Sequence, residues 1–120
     1  ITTPAGQIHE IGALLAGTVA ASQAWRVTYL GPNLPADEIA GAVRISGARA
    51  VALSIVFPSD DPYLGAELVR LRDYVGDNFA LMIGGRAAVA YQSYIDQIDA
   101  KMLTEMSSLC RHLEALRSPV

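Results

Sequence analysis

The chain has 120 residues, 52% of them apolar and 18% charged, which describes one ordered domain with a core and excludes a disordered segment. A formal net charge of −3 leaves no basic footprint, so this domain is not expected to contact nucleic acid directly. The apolar runs are short and broken by Gly, Arg or Pro, which excludes a membrane-spanning helix. A single cysteine excludes an internal disulfide framework and fits a reducing, cytoplasmic setting.

In chain order the segments alternate strand and helix, the pattern of a parallel sheet covered on both faces. Ile1 to Thr3 reads as the end of a first strand, and Pro4-Ala5-Gly6 as the turn that leaves it. Because no initiator Met precedes Ile1, the chain is expected to be a C-terminal piece trimmed from a larger protein. A first helix is expected from about Ile8 to Gln23, with Ile8, Ile11, Leu15 and Val19 spaced to share one face. Trp25 is expected to pack at the end of that helix. The second strand is Arg26 to Leu30, closed by Gly31-Pro32-Asn33. The second helix starts near Pro35, carries Asp37 and Glu38 in its first turn, and stops at Gly47.

Ala50 to Val56 is almost wholly apolar, as befits a central strand buried on both faces. Asp61-Pro62 predicts a helix start, with Asp61 as N-cap and Pro62 in the first helical position. Leu64, Leu68 and Leu71 supply that helix's buried stripe, and Gly76 ends it. A fourth strand runs from Phe79 to Ile83 and stops at Gly84-Gly85. A short helix from Ala87 to about Ile98, an edge strand around Lys101 to Leu103, and a last helix from about Thr104 to Arg117 complete the chain. The sum is a single domain over residues 1–120, a doubly wound α/β fold. Its five-stranded parallel sheet is flavodoxin-like, in strand order 2-1-3-4-5 with helices on both faces.

In open sheets of this class, ligands bind beyond the carboxyl ends of the strands. Those loops are small-residue loops here: Gly6, Gly12, Ser54, Gly84 and Gly85 all fall in or beside them. Small residues let a ligand's flat or extended part approach the backbone. His9 is the residue of chemical interest among them, so a large flat ligand with a metal centre accounts for both features. Nucleotide motifs fail: Ala5-Gly6-Gln7-Ile8-His9 interrupts any Gly-x-Gly-x-x-Gly, and no Gly-Lys-Ser/Thr occurs. A phosphoacceptor Asp is replaced by Ser54, and no Gly-x-Ser-x-Gly elbow is present. Cys110 and His112 lie two apart on a helix and face different ways, so they form no metal pair. Asp60-Asp61 reads as cap and turn, and Cys110 as a core or half-buried thiol.

Three elements together carry a resemblance. Gln7-Ile8-His9-Glu10-Ile11-Gly12, Ser54-Ile55-Val56 and Gly84-Gly85 resemble the signature of the cobalamin-binding domain family, which is Asp-x-His-x-x-Gly, Ser-x-Leu/Val/Thr and Gly-Gly. The intervals match too, with 41 residues between Gly12 and Ser54 and 27 between Val56 and Gly84. The resemblance implies cobalamin as cofactor, in adenosyl-, methyl- or hydroxo- form. It implies a displaced dimethylbenzimidazole tail and His9 as the lower axial ligand of the corrinoid cobalt. It further implies that Gly12 lets the tail pass and that the Ser54 hydroxyl bonds the benzimidazole nitrogen. Val56 would sit near the corrin or tail, and a Cβ at Gly84 or Gly85 would collide with the tail. Arg86 is either a contact to a corrin amide or phosphate, or a solvated loop arginine.

Gln7 departs from the pattern, because the family has Asp there to accept the imidazole's second N–H. A Gln carbonyl can accept that bond without charge, so a weaker or more labile cobalt bond is expected. That fits a binder or sensor better than a mutase. The expected role is a non-enzymatic sensory module of a transcriptional regulator, resembling the C-terminal domains of MerR-type regulators. Homo-oligomerisation or a DNA-binding domain in the same parent chain would be its partners. A corrinoid carrier domain of a methyltransferase or mutase is the alternative, and a degenerate domain that no longer binds cobalamin is the third reading.

Overall fold

The computed structural model of the chain describes residues 1–117, so the last three residues of the expected 1–120 domain lie outside the described residues. Two apolar strands form the centre. β1 (Ala50–Ser54) and β2 (Ala80–Gly84) pair in parallel from Ala50 opposite Ala80 to Ser54 opposite Gly84. β3 (Lys101–Met102) pairs in parallel with the other edge of β2, giving the order β1-β2-β3.

Three regular strands, rather than the expected five, make up the described sheet. The segment expected as the first strand runs beside β1 and the one expected as the second runs beside the first, each joined only by an isolated parallel bridge, Thr2 to Leu53 and Pro4 to Leu34. Thr2 N donates to Ala52 O at 3.2 Å, and Leu30 N donates to Ile1 O at 3.0 Å. Two features interrupt the ladder. Pro4 has no N–H to give. The Thr2 and Thr3 hydroxyls bond main-chain groups themselves, Thr2 to Gly31 O and Thr3 to Gln7 O, while Asn33 N donates to the Thr3 hydroxyl at 2.7 Å.

Side chains alternate across the strands and build two unequal layers. Val51, Leu53, Ile55, Leu81 and Ile83 face α2 (Ala36–Ser46), α3 (Leu64–Val75) and α4 (Gln92–Gln97), the last preceded by a 3₁₀ turn over Ala88–Tyr91. On the opposite face, Ala52 and Met82 meet Ala20 of α1 (Ile11–Ser22) and Leu109 and Leu113 of α5 (Met106–Arg117). Gly47, at φ +67, ends α2 as the expected left-handed C-cap.

Two local expectations need correction. α1 begins at Ile11, and of the predicted stripe only Val19 packs on the core: Ile8, Ile11 and Leu15 are exposed, Ile11 by 74%. The neighbouring strand β1 offers α1 the small side chains of Ala50, Ala52 and Ser54, so the helix lies close on its own small residues, with Ala13 and Ala20 buried. The large aliphatics are left outside. Asp61 does not cap α3. Its Oδ1 accepts Tyr63 N at 2.9 Å in a side-chain turn, and the helix starts at Leu64 without a side-chain cap. Leu64, Leu68 and Leu71 are buried as expected. Trp25 packs after α1 between the Arg49 and Arg117 guanidinium groups, at 5.4 and 5.3 Å from its ring centre.

Candidate functional site

On the thin face, at the carboxyl ends of the strands, a groove of about 860 Å³ opens between α1 and α5. Ala52, Ser54 and Gly84 lie along it from the sheet, Gly12, Ala13 and Ala16 from α1, and Leu103, Met106 and Leu109 from the α5 side. The arrangement follows from the alternation above. Every second residue of β1 and β2 faces this layer, and toward the strand ends those residues shrink to Ser and Gly.

His9, Gly12, Ser54, Val56, Gly84 and Gly85 come together at this groove, as the sequence motif predicts. Ser54 is 8% exposed, and among the described residues its hydroxyl has no hydrogen-bond partner. The hydroxyl is therefore free to donate to or accept from a group that enters the groove. Gly12 stands over it, since a Cβ there would lie 3.1 Å from Ser54 Oγ. The two terminal glycines line the groove and are also crowded by the protein itself. Gly85 has φ +105 and a Cβ would fall 2.3 Å from Ile55 O, while a Cβ on Gly84 would lie 3.3 Å from Leu103 Cβ.

His9 sits two residues ahead of α1, not in its first turn, because the chain becomes helical only after Glu10. Its exposed ring lies at the groove's edge and meets Phe57 edge-on, with centroids 6.1 Å apart and planes at 78°. Among the described residues no hydrogen bond engages its nitrogens. Among those residues, too, no three of His, Cys, Asp or Glu converge as a metal site. One imidazole at the mouth of a mostly apolar groove suits a metal that arrives in its own ring of ligands.

Gly6, Gln7 and Ile8 do not line the groove. Ile8 points outward, 66% exposed. Gly6, at φ +91, donates its N–H to Asn33 Oδ1 at 2.8 Å. Gln7 is completely buried, and its Oε1 accepts Val56 N at 2.9 Å and Phe57 N at 3.1 Å while Nε2 donates to Pro58 O at 3.2 Å. The carbonyl has two lone pairs and both are used, so the expected bond from His9 to Gln7 is absent.

Sequence reading missed the α5 side of the groove, including Thr104 and Glu105, and the α1 residues Ala13 and Ala16. The spacing of Gly12, Ala16 and Ala20 is itself a helical period, and the loop after the last strand obeys the rule that selected the other loops. Glu10 was missed as well. Its Oε1 accepts the Tyr29 hydroxyl at 2.6 Å, and burial, then this carboxylate, push Tyr29 up to about 12.

A family model described as the B12 binding domain matches residues 1–113. The chain belongs to the B12-binding domain family. Its cofactor is therefore cobalamin, and the groove's small-residue floor, unpartnered Ser54 hydroxyl and rim imidazole fit such a group. The fold is similar to that of a novel cobalamin-binding protein from Desulfitobacterium hafniense DCB-2. That likeness has a TM-score of 0.80 and 19% identity over 96% of this chain and 56% of that one. It is also similar to the monomethylamine corrinoid protein of Methanosarcina barkeri, with a TM-score of 0.71 and 21% identity over 95% of this chain and 56% of that one. The chain thus spans just over half the length of either structure. No curated protein sequence matches it.

Proposed function

We propose that this domain binds cobalamin base-off, with His9 as the lower axial ligand and the groove between α1 and α5 taking the displaced base. The observation that carries the reading is the pairing of the His9 imidazole with the partnerless Ser54 hydroxyl, both on one apolar groove. Ser54 offers a donor to a ring nitrogen, Gly12 leaves the way to it open, and Ala13 and Ala16 keep α1 clear of the groove. The large exposed side chains around His9, namely Ile8, Ile11 and Phe57, give a flat macrocycle an apolar seat. Bound there, an alkylated corrinoid would supply a reactive cobalt–carbon bond, and the domain itself would hold and shield that group without transforming a substrate.

Within a larger protein, the reading favoured here is a sensory module of a cytoplasmic transcriptional regulator. It is supported by His9 having no carboxylate partner, which suits reversible occupancy better than a working mutase site. A second reading, a corrinoid carrier for methyl transfer, is favoured by the likeness to the monomethylamine corrinoid protein. Cobalamin-dependent DNA binding by the full-length protein would support the first, and methyl exchange with a methyltransferase partner the second.

Binding is tested by absorption titration of the purified domain with hydroxo-, methyl- and adenosylcobalamin in the dark, beside His9→Ala. Saturable spectral shifts that change in the variant are expected. A spectrum identical to that of free cofactor, with all colour lost on desalting, would sink the proposal and leave a domain that keeps the fold alone.

A further inference from the structure

We infer that Gln7 and Phe57 together orient the His9 imidazole, an aromatic contact standing where a charged hydrogen-bond partner would otherwise be. The inference rests on the reading of His9 as the cobalt ligand and concerns how that ligand is aimed.

A completely buried amide must satisfy its polar atoms inside the protein, and that of Gln7 does so on a single loop. It receives the main-chain N–H groups of Val56 and Phe57 and donates to Pro58 O. Tyr91 holds the same loop from the other side. Its hydroxyl donates to Pro58 O at 3.0 Å and accepts Asp61 N at 3.0 Å. The main-chain carbonyl of Gln7 accepts the Thr3 hydroxyl, which anchors the clamp to the edge of the sheet. The backbone of residues 56–58 is thereby held at both ends.

Phe57 has no comparable hold on its side chain, which is 63% exposed, so its ring is placed mainly by its backbone. That backbone is placed by Gln7. The ring meets His9 edge-on, in the arrangement that aromatic pairs prefer. No hydrogen bond among the described residues competes for the imidazole. The chain of positioning therefore runs from the Gln7 amide through the Phe57 N–H and ring to His9. Such a contact restricts rotation by roughly three- to tenfold in population and adds no negative charge to the imidazole. Gln7 and Phe57 are positioning residues. Together they give a neutral and adjustable ligand where a carboxylate would give a fixed and charged one.

The test has two arms, one without cofactor. In the apoprotein, NMR of the His9 ring protons should show a ring-current shift from Phe57 that disappears in Phe57→Leu and Gln7→Ala and survives in Phe57→Tyr. In protein reconstituted with hydroxocobalamin and reduced to the cobalt(II) state, electron paramagnetic resonance with ¹⁵N-labelled histidine counts His-ligated cobalt. The ratio of ligated to unligated cobalt should fall about three- to tenfold in Phe57→Leu. It should fall as far in Gln7→Ala, and no further in the double variant. Should Gln7→Ala fail to fold, Phe57→Leu carries the test, because its side chain lies outside the core. Unchanged proton shifts and an unchanged ratio in Phe57→Leu would overturn the inference. A wild-type cobalt signal in His9→Ala would instead overturn the assignment of His9 to cobalt, while the apoprotein shifts still report on the clamp.

Discussion

On one face of the sheet Val51, Leu53, Leu81 and Ile83 meet Ile39, Leu64, Leu68 and Ile95, all buried. On the other, Ala52, Ser54 and Gly84 look toward Ala13 and Ala16 across an open groove. The same two strands supply both surfaces, one residue in two to each. Large aliphatics close the first face and hold the domain together, at roughly 1.5–3 kcal/mol for each fully buried side chain. Small residues leave the second face short of material at its carboxyl end, and that shortage is the groove proposed to take the cofactor. Stability and binding are in this way assigned to alternate positions of one strand.

Substitutions on the two faces should therefore separate the two properties. The largest effect belongs to the closed face. Leu68→Ala removes a side chain with no exposed surface from the centre of α3 and should lower unfolding free energy by about 2–5 kcal/mol in urea titration. Cobalamin affinity per folded molecule should stay the same. Ala16→Leu does the reverse. It places a larger side chain at the wall of the groove on a helix that tolerates leucine, so stability should change by less than about 1 kcal/mol. Affinity by equilibrium dialysis should drop at least about tenfold, or about 1.4 kcal/mol. Equal losses of stability and binding in either variant would break the comparison.

Ser54→Ala sharpens it. The hydroxyl has no partner among the described residues, so its removal should leave the urea midpoint in place and weaken cobalamin about three- to tenfold.

The smallest effect is a pH dependence at the rim. Tyr29 is raised in the folded state from 10.0 to about 12, so the native protein holds its proton longer than the unfolded chain does. The contribution is whole below pH 10 and lost as pH rises toward 12. Wild type should lose more stability than Tyr29→Phe across that window, as followed by circular dichroism.

Much of this was legible in the chain. Val51 to Ile55 and Leu81 to Ile83 announce central strands because apolar runs of that length suit burial on both sides. Gly12, Ser54 and the glycine pair could be placed because each sits at a strand end or beside it. What escaped was anything decided by a partner surface. Ile8, Ile11 and Leu15 form a helical stripe, and nothing in their spacing says that the sheet opposite is made of alanine and serine. The smaller stripe of Gly12, Ala16 and Ala20 wins because it allows closer approach. Gln7 was assigned to His9 because the family pattern has an Asp there, whereas its amide is spent on Val56, Phe57 and Pro58, some fifty residues away. The two edge segments could not be recognised as bridges rather than strands, since that depends on where the Thr2 and Thr3 hydroxyls find acceptors.

The central claim is that cobalt is taken by His9 while the displaced base occupies the thin-face groove. A crystal structure of the domain with hydroxocobalamin tests both halves at once. The account predicts an imidazole nitrogen of His9 at bonding distance from cobalt, with the benzimidazole between α1 and α5 and one of its nitrogens on the Ser54 hydroxyl. A cofactor whose own base remains on cobalt, with His9 free and the groove filled by solvent, would contradict it.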